Sequence, residues 1–180
     1  EHQDSLGNKG SIRNGDCQWM TAGSGIIHQE MPQKSPHMLG AQLWLNLPAS
    51  QKMVKPAYGD IQSDKVPEIR SEEGTVRIIA GEYRGIKGAF QGKHVPATYL
   101  DVSLKPNTTW FVESSDDENL VVYIFQGEAQ FGASGRKKVQ EKRAVLFTPG
   151  NHLQVIAGEE GIRFILLKAK PLKEPIAWGG

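Results

Sequence analysis

Short runs of β-branched and aromatic residues, cut repeatedly by glycine and proline, constrain this chain more than any other feature. Twenty glycines and ten prolines fall among its 180 residues, and long stretches of helical periodicity are nearly absent. That pattern predicts many short strands joined by turns, hence an all-β sandwich or barrel. Strands are expected at 10–13, 17–21, 26–30, 42–47, 76–81, 98–104, 120–125, 129–132, 137–141, 144–147, 154–156 and 163–167. In the sixth of these, Tyr99, Asp101 and Ser103 alternate with Leu100, Val102 and Leu104. A strand points successive side chains to opposite faces, so the polar set should face outward and the apolar set the core.

The pattern fails between Pro48 and Lys65. There 49–54 reads as one or two helical turns ending before Pro56, because the residue before a proline is pushed out of the helical region. The chain then stays polar to Thr75. Three segments follow: an early β unit over 1–48, a linker with a short helix over 49–73, and a later β unit over 74–180.

Bulk composition bears on partners and compartment. Hydrophobic residues make up 38% and charged residues 23%, which allows a packed core. The net charge of +1 gives no long-range field for nucleic acid or an anionic bilayer, so neither is an expected partner. The basic cluster Arg136, Lys137, Lys138, Lys142 and Arg143 reads as a solvated hairpin. Cys17 is the single cysteine. It has no intramolecular disulfide partner and no neighbouring His or CxxC partner, so it reads as a packed thiol in a reducing compartment. With no apolar run of membrane-spanning length and no signal-peptide pattern, a soluble, cytoplasmic protein is expected, or a nuclear one if the source is eukaryotic.

Chemistry concentrates in residues 10–32. Asn14-Gly15-Asp16 reads as a tight turn with Gly15 at positive φ, and a second turn at Gly23 and Gly25 precedes a strand bearing His28 and Glu30. One residue separates these two, so on a strand both project from one face and Gln29 from the other. An imidazole and a carboxylate side by side are two donors of a mixed N/O site suited to iron, manganese, nickel, copper or zinc. The same spacing also fits two side chains that bond each other or face solvent, and two donors alone do not hold a metal tightly. The other histidines, His2, His37, His94 and His152, form no HxH or HxxxH pair and read as structural or surface residues. No nucleophile motif and no phosphate-binding glycine loop occurs.

The run from Gly15 to Gly23, followed by Gly25 to Pro32 and then Gly40-Ala-Gln-Leu-Trp44-Leu-Asn-Leu-Pro48, resembles the pirin signature. The likeness continues through 76–81, Tyr99-Leu100-Asp101, 123–127 and 171–176. Pirins are bicupins, two cupin β-barrels in one chain, with a metal, usually iron, held in the first barrel by three histidines and a glutamate. The resemblance implies that His28 and Glu30 are two of those ligands. It also implies that the other two belong to a His-x-His segment absent here, so that this chain begins partway through the first barrel. In the second barrel Thr108-Thr109-Trp110-Phe111-Val112 stands where a metal-binding cupin carries His-x-His, implying a barrel without metal.

For function, the resemblance implies a metal-dependent quercetin 2,3-dioxygenase (quercetinase) acting on a flavonol, with Glu30 both ligand and proton acceptor from the substrate hydroxyl. Trp19 and Met20 line the pocket or pack the core. The alternative is a non-enzymatic, iron-dependent redox-sensing regulator that docks transcription factors or other proteins. A metal-free β scaffold is the third reading.

Overall fold

A computed structural model describes residues 1–5, 7, 9–132 and 137–176 of the chain. Strands dominate, as the turn-punctuated sequence predicts, and the described residues contain no α-helix. They divide into two compact units, Glu1–Lys65 with the described residues from Lys173 onward, and Val66–Leu172.

The first unit holds β1 (His2–Asp4), β2 (Lys9–Gly10), β3 (Cys17–Thr21), β4 (His28–Glu30) and β5 (Ala57–Ile61). A three-stranded sheet runs in the order β2-β1-β4, and β3 pairs with β5 as a two-stranded ribbon. These five strands fall short of a closed barrel. The tight turn before β3 forms as expected: the Asp16 N–H donates to the Arg13 carbonyl at 3.0 Å, and Gly15 sits at φ 80°. The Asp16 side chain ties two loops together. One carboxylate oxygen of Asp16 accepts from the Arg13 N–H at 2.9 Å and the other from the Ser63 N–H at 2.8 Å.

The second unit holds β6 (Glu68–Arg70), β7 (Gly74–Ala80), β8 (Glu82–Tyr83), β9 (Ile86–Lys87), β10 (Ala97–Leu104), β11 (Thr109–Glu113), β12 (Asn119–Phe131), β13 (Val139–Gln140), β14 (Arg143–Leu146) and β15 (His152–Ala169). Eight of them form one antiparallel sheet, β13-β12-β15-β10-β7-β6, with β11 added on β15 and β14 on β12. The sheet wraps a single apolar interior in which Ile78, Leu100, Val102, Val122, Ile124, Val155, Phe164 and Leu166 are fully buried. Each such side chain contributes about 1.5–3 kcal/mol relative to exposure. Trp110 of β11 is 3% exposed and its indole N–H donates to the Tyr83 hydroxyl at 2.9 Å, so the one polar atom it carries inward is satisfied.

Two pairs of expected strands are each one long strand. β12 joins 120–125 to 129–132, and β15 joins 154–156 to 163–167, because glycine lets the chain bend without leaving the sheet. Gly127 has φ 76° and lies so close to β15 that a Cβ there would sit 2.1 Å from the Gly161 carbonyl oxygen. The pairing register shifts at that point.

Other expectations change more. Residues 42–47 form no regular strand, and Leu43 and Trp44 are exposed. The helix expected over 49–54 is a single 3-10 turn, Ala49–Gln51, which lacks a side-chain cap from Pro48. β5 falls where no strand was expected: Ala57-Tyr-Gly-Asp-Ile61 has one β-branched residue, and pairing with β3 overrides that weak propensity. Asp101 keeps its outward place on β10 yet is only 7% exposed. The Arg163 guanidinium covers it with a two-pronged pair at 2.9 and 3.1 Å, and Arg77 approaches to 3.6 Å. Within the basic cluster, Lys138 pairs with Glu128 at 2.7 Å and Lys142 with Glu141 at 3.1 Å, while Arg136 lies outside the described residues.

Candidate metal centre

β4 presents His28 and Glu30, and its three residues are all exposed. β1 is the only strand paired with it among the described residues. The ladder opposes His2 to Glu30, Gln3 to Gln29 and Asp4 to His28. Directly opposed residues of an antiparallel pair project to the same side. The register therefore sets position 2 on the face shared by His28 and Glu30. Bonds beyond the strand ends lengthen this ladder: the Met31 N–H donates to the Glu1 carbonyl at 2.8 Å, and the Ser5 N–H to the Ile27 carbonyl at 2.7 Å.

His2, read from sequence as one more structural or surface histidine, is 6% exposed. Its ring lies over the β3–β5 ribbon. There Gln18 opposes Asp60 and Met20 opposes Tyr58, so these four residues share one face. Both ring nitrogens of His2 are within 3.2 Å of the Gln18 amide nitrogen, which donates to an Asp60 carboxylate oxygen at 2.9 Å. The same oxygen is 4.0 Å from His2 Nε2. The His2 and Tyr58 rings are stacked, 13° apart in plane at a centroid distance of 6.4 Å. Gly10, the β2 partner of His2, makes room for the ring, since a Cβ there would fall 2.3 Å from Nε2.

Trp19 and Met20 are both half-buried but project to opposite faces of β3, so only Met20 shares the face of Gln18 and Tyr58. His37 and His152 are exposed, and His94 is half-buried in a loop. Cys17, the single cysteine, is half-buried.

The donor set tests the expected metal. An imidazole and a carboxylate on one face of an exposed strand suit a divalent transition ion. Among the described residues, however, no three His, Cys, Asp or Glu side chains are grouped to hold one. His28 and Glu30 are two potential donors on one face, fewer than hold an ion tightly. His2 is turned into Gln18, Asp60 and Tyr58.

Comparison with known proteins bears on the chain as a whole. Residues 1–45 match the Pirin family and 99–180 the Pirin C-terminal cupin domain. A Solanum lycopersicum "Pirin-like protein" is 37% identical over 99% of this chain and 62% of its own length. A Thermoplasma acidophilum protein named "Putative quercetin 2,3-dioxygenase" is 35% identical over 99% of this chain and 75% of its own. Among solved structures, a quercetin 2,3-dioxygenase from Acinetobacter baumannii superposes with TM-score 0.85 at 31% identity, over 99% of this chain and 64% of that one. A bacterial pirin from Escherichia coli in complex with nickel(II) gives TM-score 0.67 at 17% identity, over 95% and 68%; this last likeness concerns fold alone.

An all-β chain whose second unit wraps one core and whose first is an incomplete barrel is a bicupin. Within that class, the chain belongs to the pirin family. It spans 62% of the tomato relative's length.

Proposed function

We propose that this chain carries part of the metal site of a pirin-type quercetin 2,3-dioxygenase acting on a flavonol. The observation that carries the reading is the exposed His28–Glu30 pair on one face of β4, inside the segment matching the Pirin family. Likeness above 30% identity to two proteins named as quercetin 2,3-dioxygenases supports it.

In this reading His28 and Glu30 supply two ligands, and a His-x-His segment outside this sequence supplies the other two. Iron is the expected ion, with manganese, nickel, copper and zinc sharing its donor preferences. When bound, such an ion supplies a Lewis acid and a redox centre. Glu30 accepts the proton of the flavonol hydroxyl, which requires hydrogen-bond reach between its carboxylate and that oxygen. His28 fixes the imidazole donor beside it, and Met20 adds an apolar wall on the ribbon face. The lone cysteine fits a reducing compartment such as the cytoplasm.

The test uses the protein isolated from its own source. Intact mass, elemental analysis and aerobic quercetin consumption are measured together. The reading expects a mass above that of these 180 residues, about one iron per chain, and quercetin loss that Glu30→Gln abolishes. Bound metal without flavonol consumption would overturn the enzyme and leave the redox-sensing regulator that docks other proteins. Metal-free protein would leave the β scaffold.

A further inference from the structure

We propose that His2 is a positioning residue for the His28–Glu30 strand. In the described residues the strand that carries the two donors pairs with β1 alone. A strand of three residues whose side chains are exposed has little rigidity of its own. Whatever fixes β1 therefore bears directly on β4.

His2 is the group that fixes β1. It is 6% exposed on a strand whose neighbour Gln3 is exposed. Four contacts from three other strands hold its ring: the Gln18 amide, the Asp60 carboxylate, the stacked Tyr58 ring and the bare Cα of Gly10. Gln18 and Asp60 are themselves joined at 2.9 Å, so two walls of the socket brace each other. Because His2 opposes Glu30 in the ladder, a rotation or slip of β1 at that position is passed directly to the carboxylate. A one-residue slip would move both donors to the other face of the sheet. The ring's burial, its contact with the Gln18 amide and the close approach of Gly10 are all accounted for by this role.

The positioning of β4 stands on these contacts alone; its consequence for a metal rests on the reading given above. The two are separated by following His2→Ala and His2→Gln in the full-length protein by amide hydrogen exchange and by titration with Co(II). In His2→Ala the amides of Ser5 and Met31, which close the β1–β4 ladder, should exchange at least about tenfold faster, while amides of the β10–β15 ladder keep their rates. Co(II) affinity should fall about 10- to 100-fold, the usual effect of removing a support behind a ligand, with a shifted visible absorption band. His2→Gln, which retains hydrogen-bonding atoms for Gln18 and Asp60, should recover most of both. Unchanged exchange at Ser5 and Met31 in His2→Ala overturns the proposal, as does an unaltered Co(II) affinity and spectrum. If the parent protein binds no Co(II), the metal reading fails and the exchange rates alone decide whether His2 positions the strand.

Discussion

Replacing Tyr83 by phenylalanine removes one oxygen from the interior of the second unit and nothing else. That oxygen is the acceptor for the Trp110 indole N–H at 2.9 Å. Tyr83 and Trp110 are 6% and 3% exposed, and no buried side-chain nitrogen or oxygen among the described residues lacks a partner. Tyr83→Phe would create one. A buried donor left unpaired costs about 1–3 kcal/mol. With a urea m-value near ~1.5 kcal/mol/M for a unit of this size, a loss of ~2 kcal/mol lowers the midpoint by roughly 1 M. Equilibrium urea unfolding followed by circular dichroism measures it.

A double-mutant cycle with Trp110→Phe should return a coupling of about 1 kcal/mol. Burial, the largest influence, pushes the Tyr83 hydroxyl above its ordinary pKa of 10.0, partly opposed by the Arg84 charge and the Trp110 hydrogen bond. A raised folded-state pKa gives stability that is complete below the unfolded value and lost as pH climbs through the folded one. The parent should therefore lose stability above about pH 10 more steeply than Tyr83→Phe. A midpoint within about 0.2 M of the parent, with no coupling in the cycle, would refute the argument, since the indole would then have found another acceptor.

Three further outcomes follow from the same geometry. Gly127→Ala forces a side chain into φ 76° and against the Gly161 carbonyl; a loss of about 2 kcal/mol or more is expected in chemical denaturation. Asp101→Asn breaks the pair with Arg163 and the approach of Arg77. Breaking a fully buried pair costs about 3–5 kcal/mol, but the Arg163 side chain is 40% exposed, so about 1–2 kcal/mol is expected in urea unfolding. Phe164→Ala empties a fully buried site and should cost about 3–5 kcal/mol, read in the same assay.

How much of this was legible in the letters depends on the range of the interactions involved. The alternation from Tyr99 to Leu104 and the shared face of His28 and Glu30 are local properties of a strand, and both were readable. The gaps between the strands expected at 120–125 and 129–132, and at 154–156 and 163–167, contain glycines, and a glycine's letter does not distinguish a turn from a bend inside a paired strand; the partner across the sheet decides. The strand at Ala57–Ile61 exists through pairing with Cys17–Thr21, a contact distant in sequence. The apolar run at 42–47 has the composition of a strand but no ladder partner among the described residues. His2 is the structural histidine that its sequence reading allowed, but which partners bury it was not legible locally. Its burial comes from Gln18, Tyr58 and Asp60, and the one local hint was its place in a short strand beside a glycine-bearing neighbour.

The rings at the centre of the second unit form a chain: Tyr83 to Trp110 at 5.9 Å, Trp110 to Phe164 at 5.9 Å, Phe164 to Phe131 at 6.4 Å and Phe131 to Phe147 at 5.7 Å. A barrel interior occupied in this way has little empty volume to surrender. Hydrostatic pressure unfolds proteins largely by eliminating such voids, so this unit should be stiff, weakly compressible and slow to yield to pressure, with its cohesion located in tilted and edge-to-face ring contacts.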